Sequence, residues 1–293
     1  MSTSVLGLVG SARPWGNSEL VVRQVLRGAQ AEGATAQLIR LTTLHVEPCT
    51  GCMRCVIGGR PCPLDDDMAW LIETIQAAGA LVLAAPIYWL GPAAQIKLVL
   101  DRLLMVTGRV DQPLPAPRPA VTVATAGLEG WRGVALPFLN ALAAGFGFRP
   151  VHSLVAVAPG PGEVLLNDEL MGRLWVAGGR LARQELETGQ PESMACPICH
   201  CEAFALAGGR ATCPICGHSA RVELHGTAIR LQFDPVEAPA RWTPEGLRAH
   251  MVDWVQATGP RYVAHRAEIK ARRTPYHQMQ VDWLHPTRPP GLE

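Results

Sequence analysis

Short apolar runs alternate with amphipathic segments through the first two thirds of the chain. Residues 4–10 form an apolar run that ends in glycine, as a buried parallel strand does. Residues 18–32 place apolar side chains on one face of a helix, and residues 35–41 form a second strand. The run at 80–85 is entirely apolar, which predicts a third strand that is buried on both faces.

The same alternation continues towards residue 190. Further helices are predicted over 67–78, 93–106, 131–146 and 166–188, and further strands over 120–125 and 150–157. Strands that alternate with helices are typical of right-handed βαβ units and a parallel sheet. Because ligands bind such sheets at the carboxyl ends of the strands, the loops after the first, third and fourth strands are the candidate site. The segment between the third strand and its helix, 86–92, is predicted to be one of these loops.

The last hundred residues follow a different pattern. Residues 219–224 and 227–233 alternate apolar and polar side chains around His225-Gly226, which predicts a hairpin inside a cysteine-rich module. One further helix is predicted over 244–257. We therefore divide the chain into an α/β domain, a small module and a tail, with bounds 1–190, 191–235 and 236–293.

Composition narrows the class of protein. The net charge of the 293 residues is +1, which argues against nucleic acid and acidic membrane surfaces as partners. Charged residues make up 17%, a low share that predicts much surface buried in the sheet or between subunits. The chain starts without a basic signal-type region, and its longest apolar run, 77–86, is too short for a membrane span. We expect a cytoplasmic protein, in which nine cysteines indicate metal or redox chemistry.

The loop after the first predicted strand has the composition of an anion site. It offers hydroxyl, amide and guanidinium donors and a close backbone approach, through Ser11, Arg13, Gly16, Asn17 and Ser18. A helix N-terminus directly after such a loop adds backbone N–H groups and a partial positive charge. The alternative is an ordinary strand-to-helix turn with a serine cap.

The order of three motifs resembles one family. Residues 10–18 resemble the G-S-x-R-x-x-G-N-[ST] loop of the NADPH-dependent FMN reductase superfamily, and residues 86–89 resemble its P-x-Y loop after strand three. Residues 96–102 resemble the helix that follows, in which Asp101 and Arg102 are predicted to form an internal ion pair. The three matches cover roughly residues 4–155.

The resemblance implies a flavodoxin-like α/β fold, with five strands in the order 2-1-3-4-5, and non-covalently bound FMN. It implies that the phosphate is held by Ser11, Arg13, Gly16, Asn17 and Ser18. It implies that the isoalloxazine is lined by Pro86, Ile87, Tyr88 and Trp89, with Thr125, Ala126 and Gly127 at its other edge. It also implies a homodimer or homotetramer with FMN at a subunit interface.

The first cysteine group has the spacing Cys49-x2-Cys52-x2-Cys55-x6-Cys62. A C-x2-C-x2-C triple wraps one face of a cubane well, and a ferredoxin run uses the same triple with a distant fourth ligand. The array, followed directly by an acidic helix start, resembles the iron–sulfur flavoprotein branch of the superfamily, which implies a [4Fe–4S] cluster near the FMN. A structural zinc and thiols without metal are the alternatives.

The second cysteine group consists of two C-P-I-C knuckles. Cys196 and Cys199 form one, and Cys213 and Cys216 form the other after 13 residues. Paired knuckles favour a tetrahedral thiolate site, and the hairpin that follows makes this a zinc-ribbon-like module. Iron in a rubredoxin-like site is the alternative. We expect Cys201, His200 and His218 to lie outside the ligand set.

Three functions fit these motifs. The first is an FMN-dependent oxidoreductase or electron-transfer protein that passes electrons between flavin and the cluster. The second is an NAD(P)H-dependent FMN or quinone reductase without a cluster. The third is a binding module that recruits a partner through the zinc ribbon. The sequence names neither the electron donor nor the acceptor, and no protein acid or base is singled out.

Overall fold

The computed structural model describes residues 2–57, 59–107, 116–187, 194–234, 241 and 244–279. The two domain boundaries predicted at 190 and 235 lie outside the described residues, as do Met1 and the end of the tail.

A twisted parallel sheet forms the main body. Its strands are β1 (Ser4–Val9), β2 (Thr35–Arg40), β3 (Ala80–Tyr88), β5 (Arg118–Ala126) and β6 (Phe148–Val157). They pair in the order β2-β1-β3-β5-β6, all parallel. The predicted flavodoxin-like order of five strands is therefore confirmed. A short strand, β4 (Gly91–Pro92), runs antiparallel to the end of β3.

Helices cover both faces of the sheet. They are α1 (Asn17–Ala31), α2 (Met68–Ala77), α3 (Ala94–Asp101), α4 (Leu104–Thr107), α5 (Ala135–Gly145) and α6 (Asp168–Ala182). The apolar faces of α1 and α6 share one core with the sheet, and those of α2, α3 and α5 share the other. Glycines let α1 and α6 approach closely, because a Cβ on Gly28 would lie 2.1 Å from the Trp175 carbonyl oxygen.

Several predicted bounds were wrong, among them the start of the helix predicted over 131–146, which begins at Ala135. The helix predicted over 93–106 is divided at Arg102 and Leu103 into α3 and α4, where the Arg102 side chain turns into the protein interior. The helix predicted over 166–188 ends at Ala182. The loop predicted at 86–92 is in fact the end of β3 and the β4 hairpin, which two non-glycine residues in left-handed conformation make possible.

The C-terminal module is a small antiparallel sheet built around cysteines. Its strands are β7 (Ala205–Ala207), β8 (Arg210–Thr212), β9 (Ser219–His225) and β10 (Ala228–Phe233), paired in sequence order. The predicted hairpin is the β9–β10 pair. The core of the module consists of its five cysteines, with Ile198, Phe204 and Ile215 packed against them.

The tail is more helical than predicted. It contains α7 (Pro244–Ala249), a π-helix (His250–Gln256) and α8 (Thr258–Gln278), where one helix over 244–257 was expected. The π-helix buries Met251 and Val255, whereas α8 buries none of its residues. Among the described residues, no helix combines the length and the apolar character that crossing a bilayer requires.

Candidate functional site

The loop between β1 and α1 has an uncapped helix start. Gly16 is the N-cap of α1 and offers no side chain to the first-turn N–H groups. Ser11 and Ser18 are buried beside it, and Arg13 is exposed. The Ser18 and Thr125 hydroxyls lie 2.7 Å apart, so the start of α1 is in contact with the end of β5. An anion at this helix end would meet unsatisfied donors and the positive end of the helix dipole.

Asn17 has a different task from its neighbours. Its Nδ2 donates to the carbonyls of Ala158 (3.0 Å) and Gly160 (2.9 Å), and its Oδ1 accepts from the Val164 N–H. The side chain therefore ties the loop after β6 to the start of α1. Because both polar atoms of the side chain are already bonded, Asn17 can bind a phosphate only through its backbone N–H.

Glu19 was missed in the sequence and stabilises the same loop. Its buried carboxylate accepts from the Trp15 N–H at 2.9 Å and pairs with Arg23 and Arg40. Burial disfavours its charge, but the Trp15 hydrogen bond and the two arginines outweigh that and lower the pKa of Glu19. Its position, three residues after the N-cap, was the available signal.

An aromatic turn joins β3 to β4. Trp89 (φ 46°) and Leu90 (φ 64°) are both left-handed, the geometry of a tight hairpin that glycine or asparagine usually occupies. The strained turn is held from outside, since the Leu90 carbonyl accepts from the Val134 N–H at 2.7 Å. At the tip of this turn, Trp89 is 91% exposed.

The loops after β1, β3 and β5 meet because these three strands are neighbours in the sheet. Together they present apolar side chains to solvent: Trp15, Tyr88, Trp89, Leu90, Leu128 and Trp131. Pro86 and Ile87 are partly buried beneath the turn, and Thr125 and Ala126 are buried at the end of β5. No atom lies within 4 Å of where a Cβ of Gly127 would be, so the described residues leave this edge open.

The first cysteine group lies in the long loop after β2. Cys49 and Cys52 are exposed, and Cys55 and Cys62 are partly buried. All four line one pocket, together with Arg102, Leu104 and Met105 among others. Burial and the neighbouring thiols raise the pKa of Cys55.

The tail packs against this loop. Met251 and Val255 of the π-helix form a small core with Val56, and Met53, Cys55 and Leu104 pack against it. The loop that carries the cysteines is thus covered on one side by residues some two hundred positions later in the chain.

The second cysteine group is closed and symmetrical. The four sulfurs lie within 4.8 Å of one another, with Cys196 and Cys216 at 3.4 Å and Cys199 and Cys213 at 3.4 Å. Each knuckle turns back in the same way: the His200 N–H donates to the Cys196 carbonyl, and the Gly217 N–H to the Cys213 carbonyl. His200 is left-handed at the position where the other knuckle has Gly217.

Crowding of the sulfurs favours a cation at their centre. Contacts with the other three sulfurs raise the pKa of Cys199, and hydrogen bonds from Cys196 and Cys199 lower that of Cys213. Four buried thiols cannot all ionise side by side unless a positive charge compensates them.

The module is fastened to the sheet through one amide. Asn140 of α5 is buried, and its Nδ2 donates to the Cys199 carbonyl at 2.8 Å. Its Oδ1 accepts from the Thr122 and Ser153 hydroxyls, on β5 and β6. The knuckle of Cys196 and Cys199 is therefore joined to the centre of the α/β domain.

The remaining cysteine and histidines of the module lie outside the four-sulfur group. Cys201 donates to the Ala203 carbonyl, and burial raises its pKa to about 11. His218 stacks on Phe233, with ring centroids 5.6 Å apart. The four-sulfur group among the described residues includes none of Cys201, His200 and His218.

Comparison with known proteins decides the family. Residues 3–161, more than half of the chain, match the NADPH-dependent FMN reductase family. The chain belongs to this family. Family membership places it among the flavin-dependent oxidoreductases, as the motifs had predicted.

Two relatives and one solved structure extend the comparison. The iron–sulfur flavoprotein MJ1083 of Methanocaldococcus jannaschii is 37% identical over 98 residues, which are 33% of this chain and 50% of that protein. The flavone synthase cfoJ of Aspergillus candidus is 29% identical over 250 residues, 74% of this chain and 77% of that protein. A solved flavone reductase covers 97% of this chain and all of its own, with a TM-score of 0.76 and 22% identity, which shows a shared fold.

The residues present fit the FMN of this family. The uncapped start of α1, with Arg13 beside it, suits a phosphate. The exposed Tyr88 and Trp89 supply flat apolar surface for a ring system, and the neighbouring strand β5 leads to the open position at Gly127.

The two cysteine groups fit different metals. Around one zinc ion, Zn–S bonds of about 2.3 Å place tetrahedral thiolates about 3.8 Å apart, close to the spacing of the second group. In a cubane each thiolate binds a different iron, so the sulfurs stay farther apart. Of the described cysteines, only the second group brings its sulfurs within 4.8 Å, and the open first group fits the larger centre.

Proposed function

We propose that the chain is an FMN-dependent oxidoreductase whose first cysteine group binds a [4Fe–4S] cluster that exchanges electrons with the flavin. When bound, FMN supplies the link between two-electron and one-electron transfer, and the cluster supplies a one-electron centre. NADH or NADPH is the proposed donor. The second cysteine group is proposed to hold a structural zinc.

The observation that carries this proposal is the position of the first cysteine loop. It follows β2, while the flavin loops follow β1, β3 and β5 of the same parallel sheet. Carboxyl ends of parallel strands meet at one edge, so the cysteines and the flavin loops share that edge. The loop is also bonded to the segment after β3, because Arg102 donates to the Glu47 carbonyl at 2.9 Å.

The chain's own residues have distinct roles at this edge. Ser11, Ser18, Arg13 and the N–H groups at the start of α1 bind the phosphate. Tyr88 and Trp89 pack on the ring and exclude water from one side of it. The apolar rim around them also suits a second subunit, and we propose a homodimer or homotetramer in the cytoplasm.

The experiment uses anaerobically purified protein reduced with NADPH or NADH and frozen for electron paramagnetic resonance. We expect bleaching of the yellow flavin absorbance and the signal of a reduced iron–sulfur cluster. A Cys49→Ser/Cys62→Ser protein should still be bleached but should lack the signal, whereas Cys201→Ser should keep both. A signal of equal intensity in all three proteins would contradict the assignment of the first group.

A second candidate is a reaction on a flat aromatic substrate, without a cluster. The relative that aligns over three quarters of both chains is a flavone synthase, and the exposed Trp89 and Trp131 offer stacking surface beside the flavin site. We would test it with a flavone and the matching flavanone. Turnover of either, with a raised KM in Trp89→Ala, would favour this function.

A further inference from the structure

Arg102 is a buried charge that needs an explanation. Its side chain is 1% exposed and lies at the break between α3 and α4. The predicted ion pair with Asp101 was wrong, because Asp101 pairs with the exposed Lys97 instead. Arg102 pairs with Asp66, also 1% exposed, through contacts of 2.6 and 3.1 Å. Burying two charges is costly, so the pair is expected to have a role beyond filling space.

The guanidinium joins the two ends of the first cysteine loop. Glu47, whose carbonyl it binds, lies two residues before Cys49, and Asp66 lies four residues after Cys62. The Arg102 side chain therefore helps to close the loop from Cys49 to Cys62 at its base. Asp66 strengthens the closure, since it also accepts from the Glu47 and Met68 N–H groups.

The same guanidinium also touches a cysteine. Its Nη2 donates to the Cys62 Sγ at 3.4 Å and to the Met105 Sδ at 3.5 Å. Cys62 thus receives a charge-assisted hydrogen bond from a group that solvent cannot screen. Lysine would not replace this arrangement, because only the planar fork reaches carbonyl, carboxylate and thiol together.

We propose that Arg102 is a positioning residue that fixes Cys62 and raises the reduction potential of the cluster bound by the first cysteine group. The inference rests on the proposed function. The potential of an iron–sulfur centre depends on local charge and on hydrogen bonds to its sulfurs. Uptake of one electron adds negative charge to those sulfurs, and the Arg102 N–H stabilises that charge.

A merely structural ion pair would predict a different outcome. It would affect the stability of the loop but not the potential of a cluster once bound. The matched comparison is therefore between two arginine–carboxylate pairs: the buried Arg102–Asp66 pair and the exposed Arg272–Glu268 pair of α8, which does not line the cysteine pocket. Replacing either pair by neutral residues leaves the net charge unchanged.

The test uses full-length protein with FMN, reconstituted anaerobically with iron and sulfide, and a potentiometric titration followed by electron paramagnetic resonance. The neutral pair Arg102→Met/Asp66→Asn should shift the reduction equilibrium about tenfold towards the oxidised cluster, about 59 mV for a one-electron couple. Arg102→Lys should shift it less, in the same direction. Arg272→Met/Glu268→Gln should have the potential of the unchanged protein.

Two further results distinguish failure of this inference from failure of the proposed function. If both Arg102 variants load iron and sulfide but keep the unchanged potential, the inference is overturned and the proposed function stands. If only the Arg102→Lys protein binds iron and sulfide, an unchanged potential in that protein alone overturns the inference. If the unchanged protein binds no iron and sulfide, the proposed function itself fails.

Discussion

The two cysteine groups are organised in opposite ways. The second is buried and closed, and its geometry comes from two short knuckles and the strands that follow them. The first is open to solvent, and its loop is held from outside by Arg102 and by the π-helix of the tail. A site built from local turns is pre-shaped for one ion, whereas a site held by distant residues can be adjusted by them.

The largest expected effect comes from removing ligands of the closed group. Cys196→Ser with Cys213→Ser should abolish metal binding and lower the free energy of unfolding of the module by more than about 5 kcal/mol, since small modules fold around their metal. Metal analysis and thermal unfolding would show this. Cys201→Ser is the control, and metal loss in that protein too would refute the four-sulfur assignment.

The contact between the π-helix and the open group can be weakened without changing any of its cysteines. Met251→Asp places an unpaired carboxylate against Val56 and should cost about 3 kcal/mol at the tail contact. We expect faster proteolysis of the tail and faster iron loss to a chelator. Trp254→Asp, at a neighbouring position that is 61% exposed, should change neither rate. Equal rates in both variants would mean that the tail does not protect the loop.

Breaking the link between the closed group and the sheet is expected to cost less unfolding free energy than the changes above. Asn140→Ala removes the donor to the Cys199 carbonyl and the shared acceptor of the Thr122 and Ser153 hydroxyls, which still bond each other, at a cost of about 2 kcal/mol in a thermal or denaturant unfolding curve. Asn140→Asp keeps the acceptor but replaces the donor to Cys199 by a buried carboxyl group, so it should cost more than Asn140→Ala. The metal content should be unchanged in both, and metal loss from Asn140→Asp would show that the module depends on the sheet.

The smallest expected effect is at Glu19, which belongs to neither cysteine group and serves as a reference for the other variants. Glu19→Gln should cost about 1.5 kcal/mol at neutral pH, because charge-assisted bonds to Trp15, Arg23 and Arg40 are weakened. The folded-state pKa of Glu19 lies below the unfolded value of about 4.3, so this stability is present above that pH. It is lost as the pH falls through the folded pKa, and the two unfolding curves should converge. A constant difference at all pH values would contradict the pKa direction.

The sequence predicted what periodicity and local motifs encode. The parallel sheet and its order followed from buried strands alternating with amphipathic helices and from the family resemblance. The paired knuckles predicted the closed metal site, because a turn of four residues is set by its own composition. FMN and the flavin loops followed from motifs, and the roles of individual residues in them stay predictions.

Long-range contacts were beyond that reasoning. Arg102 was assigned to its neighbour Asp101, whereas its partners are 36 and 40 positions earlier at Asp66 and Cys62. Helix α8 buries nothing and therefore has no apolar stripe to find. The β3–β4 hairpin depends on two left-handed residues, Trp89 and Leu90, that turn statistics disfavour.

The central claim is that the open group holds an iron–sulfur cluster and the closed group a single ion. Iron, acid-labile sulfide and zinc should be quantified in anaerobically purified protein. The account predicts about four iron, about four sulfide and about one zinc per chain. A protein that is yellow with flavin but contains neither iron nor sulfide would contradict it.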